Sequence, residues 1–247
     1  MKRWKSGLLR LAGTLLLAAG MCQAAAQVGA GAAVGSVHHN AAGFFDIHVC
    51  NWPNQPVFFL ALFSTTQYAD IGEIEVFDPE NRSLGKLDLS RYRLVLDPGK
   101  PEKRVFIANF AVPPKAINGW YSVRVTMRSG KKFDARDYVA LGRLPRAANL
   151  VPADGTENVA LPKELKWDPV PGAKFYQVFI KDLWDGERLI HTSTMLDKPL
   201  LVLPPGLLQP GGAYAWRVHA RDVNEDPKLG DFNLGSLSPE LKFSVAP

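Results

Sequence analysis

The sequence predicts an all-β protein made of two antiparallel β-sandwich domains in tandem, preceded by a signal peptide. Short runs of alternating apolar and polar residues recur through residues 44–143 and again through 150–247. Gly, Pro, Asn and Asp clusters separate these runs, and the first stretch shows no sustained helical period. Seven or eight short strands in about 100 residues are typical of an antiparallel sandwich.

Residues 1–26 are predicted to be a secretory signal peptide. Basic residues precede an apolar run from Leu8 to Met21, and the small residues 24–26 offer a cleavage site. The run is shorter than the roughly 20 apolar residues that span a bilayer. We therefore expect export to the periplasm or the extracellular space, without a membrane span.

A lipid anchor at Cys22 is the alternative to simple cleavage. Residues 17–22 resemble the lipobox of bacterial lipoproteins, but Met21 stands where that motif has Gly, Ala or Ser. Removal of residues 1–26 leaves Cys50 alone, so no disulfide can form within the mature monomer. Cys50 is expected to be a small buried hydrophobic residue, with an intermolecular disulfide or a reactive thiol as the alternative.

The charge balance argues against nucleic acid and anionic membranes as partners. The full chain carries 29 basic and 24 acidic residues, and four of the basic residues lie in the signal peptide. The mature chain therefore carries 25 basic against 24 acidic residues and is close to neutral. Such a chain lacks the electrostatic attraction on which those partners depend.

Residues 27–43 are rich in Gly and Ala, lack a usable period and are predicted to be a flexible lead-in. His38 and His39 are potential metal ligands, but no further ligand stands at suitable spacing. Both histidines are therefore expected to be solvated.

The first sandwich is predicted over residues 44–143. Its apolar runs are 45–49, 57–63, 72–76, 92–96, 105–110, 120–127 and 133–141. The run 57–63 is apolar throughout, which predicts a strand buried on both faces. Turn signals follow several runs, including Asp78-Pro79 and a hairpin at 128–131. The pattern is immunoglobulin-like only in a general sense.

A short linker that contains proline is predicted at residues 144–149, and it should restrict how the two domains move. The second sandwich follows over residues 150–247. Its apolar runs are 165–167, 175–180, 189–192, 200–203, 214–221 and 241–245.

The run 214–221 alternates strictly after a Pro-Gly-Gly turn, as in a half-buried antiparallel strand. The face expected to meet the core holds Tyr214, Trp216, Val218 and Ala220. The opposite face, expected to be solvated, holds Arg217, His219 and Arg221.

Several motifs occur in order in the second half. They are Leu165-Lys-Trp167-Asp-Pro-Val-Pro-Gly-Ala, Tyr176-Gln-Val-Phe-Ile, Leu208-Gln-Pro-Gly-Gly-Ala-Tyr214 and the strand after it. Together they make residues 150–246 resemble a fibronectin type III domain. The resemblance implies that Trp167 packs in the core from the second strand. It also implies that the run ending at Tyr214 is a tyrosine corner leading into the sixth strand.

An acidic loop after residue 221 resembles a calcium loop, because Asp222, Asn224 and Asp226 place oxygen ligands at alternate positions. Pro227 and Asn233 occupy the places where an EF-hand requires Gly and Glu. A solvated acidic loop without metal is therefore expected, with a calcium site of another type as the alternative.

Three aromatic residues stand in turn-like contexts outside the strand pattern: Trp52, Trp184 and Phe232. Aromatic residues at loop tips are common in protein interfaces and can stack on sugar rings. These three are therefore the candidate contact residues for a partner or ligand. The alternative is that each one covers the core of its own domain.

No catalytic fingerprint or cofactor motif occurs in the chain. We therefore expect neither enzyme activity nor a bound cofactor. The sequence predicts an exported, non-catalytic protein that serves as a protein-interaction or structural module in a bacterial-type envelope. A carbohydrate-binding accessory protein that uses the loop aromatics is the alternative, and an enzyme with a cleft between the domains is a third.

Overall fold

Alternating side chains produce strands along most of the chain that the computed structural model describes, residues 37–224 and 231–247. One turn of 3-10 helix, Tyr68–Asp70, interrupts them. No helix within these ranges has the length and apolar character needed to cross a membrane. The all-β sandwich fold predicted from the alternation is confirmed. The predicted signal peptide and lipobox lie outside the described residues.

The first half forms two facing sheets. Its strands are β1 (His39–Asn40), β2 (Gly43–Asn51), β3 (Phe58–Thr65), β4 (Ile71–Phe77), β5 (Ser83–Lys86), β6 (Tyr92–Val95), β7 (Lys103–Ala111), β8 (Gly119–Met127) and β9 (Lys132–Val139). Strands β2, β3, β7 and β6 lie side by side in one sheet, and β5, β4, β8 and β9 form the other. Neighbouring strands within both sheets are antiparallel.

The first hydrophobic core lies between these sheets. Its members include Phe45, Ile47, Phe59, Phe63 and Phe106 from one sheet, and Ile74, Val76, Tyr121, Val123 and Val125 from the other. Strand β3 is buried at every position, as its continuous apolar run predicts. Each large side chain buried here contributes roughly 1.5–3 kcal/mol, so this core can stabilise a fold without disulfides.

The second half contributes the remaining strands of the described chain. They are β10 (Thr156–Val159), β11 (Glu164–Lys166), β12 (Phe175–Asp182), β13 (Arg188–Thr192), β14 (Leu200–Val202), β15 (Ala213–Arg221), β16 (Leu234–Leu237) and β17 (Leu241–Val245). Strand β12 pairs with the whole of β15 along one edge. On the other edge, β17 lies beside the beginning of β15 and β16 beside its end. Strands β11 and β14 form a separate pair.

The second core contains the aromatic residues that the fibronectin resemblance places there. Trp167 is buried and meets the ring of Tyr176 edge-on, with ring centres 5.4 Å apart. The hydroxyl of Tyr214 accepts a hydrogen bond from the backbone N–H of Gln209 at 2.7 Å. This bond ties the turn before β15 to the strand, which is the geometry of a tyrosine corner.

The two halves share one sheet, which the sequence did not predict. Strand β16 pairs with β15 in antiparallel fashion, while its residues 234–236 lie parallel to residues 49–51 of β2. An eleven-stranded sheet therefore runs through both halves. In the predicted linker, 144–149, Leu144 and Ala147 pack into the second core, so this segment is held by the fold.

We expect Tyr214→Phe to lower the free energy of unfolding by about 1–2 kcal/mol, because the Gln209 N–H loses its acceptor in a partly buried corner. Denaturant unfolding followed by tryptophan fluorescence measures the change. Tyr138→Phe is the matched control, since Tyr138 is 40% exposed and should change stability by less than about 0.5 kcal/mol. Equal stability of both variants would show that the corner bond contributes nothing.

Candidate functional site

Polar side chains are buried where β16 joins the two halves. His48 from β2, His219 and Arg221 from β15, and Phe232 before β16 are almost inaccessible to solvent. We name these four residues the junction cluster. The expectation that His219 and Arg221 lie on a solvated sheet face is wrong, because the sheet continues through β16 and Phe232 packs on both residues.

The ring of Phe232 lies at the centre of the junction cluster. It stacks on the imidazole of His48 with ring centres 3.8 Å apart, and it meets His219 edge-on at 5.3 Å. The guanidinium of Arg221 lies 4.9 Å from the same ring. Phe232 is only 4% exposed, so the expectation of an exposed loop aromatic is wrong for this residue. Its ring fills the space between the halves instead.

Strand β16 needs a glycine to approach this cluster. A Cβ atom at Gly235 would lie 2.6 Å from the Phe232 ring and 2.8 Å from Nε2 of His219. These distances are too short for carbon in a packed interior, so any side chain at this position would push β16 away from the cluster.

Two hydrogen bonds of Arg221 go to neutral acceptors, one inside the junction cluster and one in β12. Its Nε donates to Nδ1 of His219 at 2.9 Å, and its Nη2 donates to Oε1 of Gln177 at 2.7 Å. Because His219 accepts at Nδ1, its own proton must sit on Nε2 and the ring is neutral. Burial, followed by the charge of Arg221, lowers the pKa of His219 well below its ordinary value.

His48 has the opposite electrostatic environment. Its Nδ1 lies 2.6 Å from the carbonyl oxygen of Phe232, and its Nε2 lies 3.2 Å from Oδ2 of Asp46. An acceptor at each nitrogen favours the doubly protonated ring. Burial is the largest influence and opposes that charge, but Asp46, Asp231 and the Phe232 carbonyl together outweigh it and raise the pKa of His48. Burial likewise opposes the charge of Asp46, and His48 nevertheless lowers the pKa of this carboxyl group.

A second carboxyl group, that of Asp137 in β9, lies within hydrogen-bonding reach of Asp46. Its Oδ2 accepts the backbone N–H of Ile47 at 3.0 Å, and its Oδ1 accepts Nδ2 of Asn224 at 3.2 Å. Burial, and then the charge of Asp46, raise the pKa of Asp137 to about 10. The two carboxyl groups therefore hold one proton between them at neutral pH.

His38 lies beside the two carboxyl groups. Its Nδ1 is 3.3 Å from the carbonyl oxygen of Phe45 and 3.8 Å from Oδ1 of Asp137. One potential ligand atom from each of His38, Asp46 and Asp137 lies within 4.8 Å of the others, and all three residues are buried. We name them the carboxylate–histidine group. The expectation that His38 is solvated is wrong, and its neighbour His39 is half-buried.

Sequence reasoning missed this group. Asp137 carried a usable signal, because it stands in phase with Ala135 and Val139 on the buried face of β9. A carboxyl group at a strand position that faces the core needs a hydrogen-bond donor or a charge partner. Asp46 and His38 carried no such signal, since their burial depends on which segments pack against β2.

Asp222 and Asn224, two of the residues considered as a calcium loop, make separate contacts with other parts of the fold. Oδ1 of Asp222 accepts the backbone N–H groups of residues 233–234, at 2.9 and 2.7 Å. The Asn224 amide donates to the carboxyl group in β9, and Asp226 lies outside the described residues. Asp222 therefore holds the turn before β16. Within the described chain, the potential ligands that converge are those of the carboxylate–histidine group.

Two of the candidate aromatics remain at least partly accessible. Trp52 is half-buried and packs edge-on against Phe58, with ring centres 5.0 Å apart. Trp184 is 76% exposed in the turn between β12 and β13. Its backbone N–H donates to Oδ1 of Asp182 at 2.8 Å, which orders the turn. A contact role for either tryptophan stays a prediction.

Cys50 is fully buried between neighbouring strands, as expected for a small hydrophobic residue. Burial raises the pKa of its thiol far above the ordinary value. The nucleophilic thiolate is therefore not populated at neutral pH.

An apolar surface remains where the eleven-stranded sheet ends. Strand β6 pairs with β7 on one side, and the described chain places no strand on its other side. Its alternate side chains are exposed: Tyr92 by 42%, Leu94 by 43% and the following Leu96 by 69%. We name these three residues the β6 edge. Natural sheets usually protect such edges with Lys, Pro or a bulge.

A small depression lies beside the junction. Its volume is about 380 Å³, and it is lined by Asn51, Arg143, Pro145 and Arg146. The Arg146 guanidinium donates to the backbone carbonyl of Trp52. The lining offers cations and an amide, and no side chain that exchanges a proton near neutral pH.

No known family model matches this chain, and no curated protein matches its sequence. Solved structures match it at low identity. The mixed-linkage glucan utilization locus protein SGBP-B of Bacteroides ovatus, in complex with a mixed-linkage heptasaccharide, is 11% identical over 79% of this chain and 42% of that chain, with a TM-score of 0.24. Part of titin is 16% identical over 81% of this chain and 66% of that chain, with a TM-score of 0.24.

Dimeric latent PorU from Porphyromonas gingivalis is 13% identical over 83% of this chain and 20% of that chain, with a TM-score of 0.27. This chain spans less than two thirds of each of these three chains. Scores this low transfer no function to it.

We expect His219 to make a contribution to stability that is lost as the pH falls below about 6.5, the ordinary pKa of histidine. The folded state holds this ring neutral, so its contribution is present above the unfolded pKa and is lost when the unfolded chain takes up a proton. The slope from this one residue approaches about 1.4 kcal/mol per pH unit at most. His48 and Asp137 have raised pKa values and act in the opposite direction, so the comparison needs a variant.

His219→Gln keeps an acceptor for Arg221 but does not titrate. Denaturant unfolding between pH 7 and pH 5 should give a flatter dependence for this variant than for the unmodified chain. Parallel curves would contradict a neutral His219 in the folded state.

Proposed function

We propose that this chain is a non-catalytic exported protein that acts as a protein-interaction module of a bacterial-type envelope. The observation that carries the proposal is the β6 edge, an exposed apolar strand edge at the end of the long sheet. A partner segment in extended conformation would add to this edge through main-chain hydrogen bonds. Its alternate apolar side chains would pack on Tyr92, Leu94 and Leu96.

The polar groups of the fold support a non-catalytic role. The junction cluster and the carboxylate–histidine group are buried, and the depression beside them offers no general acid or base. Reactants would have no access to the titratable groups of the junction cluster and the carboxylate–histidine group. A perturbed pKa here reflects structure rather than chemistry on a substrate.

The same proposal includes the domain division and the compartment. We assign residues 44–143 and 150–247 to two sandwich domains, the second of fibronectin type III class. The Tyr214–Gln209 bond and the buried Trp167 support that class. Residues 1–26 are assigned as the export signal from their composition alone.

Leu94→Glu should abolish partner capture without loss of folding, because a carboxylate at the β6 edge opposes apolar strand addition. The measurement is quantitative capture from envelope extract, with captured proteins identified and then rebound in purified form. Val202→Glu is the matched control, since Val202 is a 69% exposed residue of another short strand. Capture that survives Leu94→Glu, or that Val202→Glu abolishes equally, would remove the β6 edge as the binding surface.

A carbohydrate-binding role is the second candidate, and the exposure of Trp184 favours it. An indole that is 76% exposed on an ordered turn can stack on a sugar ring. The acidic side chains of Asp182 and Asp185 flank it and could accept hydrogen bonds from sugar hydroxyls.

Affinity electrophoresis through gels that contain soluble envelope or plant polysaccharides measures the affinity from the retardation of the protein. Trp184→Ala should weaken this affinity about tenfold, while Trp184→Phe should retain part of it. Trp120→Ala serves as the control, because Trp120 is 38% exposed but packs against Tyr138. Unchanged retardation of Trp184→Ala, or none for the unmodified chain, would rule out this role.

A further inference from the structure

We propose that the carboxylate–histidine group, His38, Asp46 and Asp137, binds a single transition-metal dication of the Zn²⁺ type. These residues come from three separate segments: the residues before β1, strand β2 and strand β9. One potential ligand atom of each lies within 4.8 Å of the others. An imidazole nitrogen and two carboxylate oxygens form a ligand set that zinc accepts.

The geometry is close to that of a bound site. Nδ1 of His38 lies 3.8 Å from Oδ1 of Asp137. Ligand atoms around a tetrahedral zinc stand about 3.3 Å apart, because each bond is about 2.0–2.1 Å long. Side-chain adjustments of about 1 Å would bring the three atoms onto one ion.

An unsatisfied atom in the same place points independently to a cation. Oδ1 of Asp46 is buried and has no hydrogen-bond partner within the described residues, although this side chain is only 7% exposed. The other oxygen, Oδ2, faces His48. Asp137 accepts hydrogen bonds from Ile47 and Asn224 and, at neutral pH, shares one proton with Asp46. A dication bound here would displace this shared proton, because carboxyl groups are deprotonated when they ligate a metal.

The carboxylate–histidine group lies where the segment before β1 contacts both sheets of the first half. The N–H of Phe45 donates to the carbonyl of His38 at 2.8 Å, and the N–H of Arg136 donates to the carbonyl of Val37 at 2.9 Å. Residues 37–40 therefore bridge β2 and β9, one strand from each of the two facing sheets. A metal bound here would hold this segment to both sheets at once. Its role would be structural, since the group is buried.

The ligand set selects the class of metal. Ca²⁺ takes six to eight oxygen ligands and Mg²⁺ keeps several waters in an octahedral shell, which a closed site with an imidazole does not provide. Zinc needs four ligands, and the carbonyl oxygen of Phe45 lies 3.3 Å from Nδ1 of His38 as a candidate for the fourth.

The first experiment uses the full chain, purified without a histidine tag and freed of metal by a chelator. Zinc titrated against a chromogenic competitor should bind with one tight equivalent per chain. Zinc in about hundredfold excess over its Kd should raise Tm by about 5 °C or more, with less than about 1 °C for Ca²⁺ or Mg²⁺. No tight equivalent, or an equal shift with Ca²⁺, would overturn the proposal.

The second experiment separates this site from adventitious binding by histidine. His38→Ala should weaken zinc binding about tenfold or more and abolish the Tm shift, since it removes one of three protein ligands. His39→Ala is the matched control, because it removes the adjacent imidazole that lies outside the group, and it should retain affinity within about twofold. Equal effects of the two variants would overturn the proposal.

A third variant keeps the proposal falsifiable if His38→Ala fails to fold. Asp46→Asn preserves the size of the side chain but removes its charge, and circular dichroism confirms folding before titration. This variant should also lose the tight zinc equivalent. Tight binding retained by folded Asp46→Asn would exclude the site.

Discussion

The parallel pairing of β16 with β2 is the constraint on which the rest of the structure depends. Through residues 234–236 and 49–51, it makes one sheet from strands that would otherwise end at two separate edges. The edge of β2 is then covered by β16 in one part and by residues 37–40 and Asp137 in the other. Backbone groups of β2 that would face water are satisfied within the fold, which protects the edge from unwanted pairing.

This joining explains why charged residues are buried far from any reactive pocket. A buried cation such as Arg221 is expensive to desolvate, and its hydrogen bonds to His219 and Gln177 offset that cost only when the geometry is correct. Phe232 can stack on His48 only if β16 enters in this register. The buried polar contacts therefore mainly specify the register in which β16 pairs with its neighbours. A different register would leave several buried polar groups without hydrogen bonds.

Alternation in the sequence identified which residues share a face, but not what covers that face. It placed Trp216 and Val218 inward correctly, and the continuous apolar run predicted the fully buried β3. It failed for His219 and Arg221, because Phe232, which precedes the next strand, packs on both side chains. His38 was missed because its burial depends on the packing of β2 against β9. The alternation within a strand shows which side chains share a face of the sheet. Whether the polar face is buried depends on the tertiary packing around that strand.

The distribution of polar and apolar groups then limits how the protein can recognise anything. His48, His219 and Asp137, whose pKa values are shifted, are buried among contacts within the fold and are not offered to solvent. Exposed apolar groups lie instead at the β6 edge and at Trp184. The shared sheet restrains the relative orientation of the halves. Binding at these surfaces would therefore cost the protein little conformational entropy. Recognition would thus rely on shape and apolar contact, while the buried charges specify the fold.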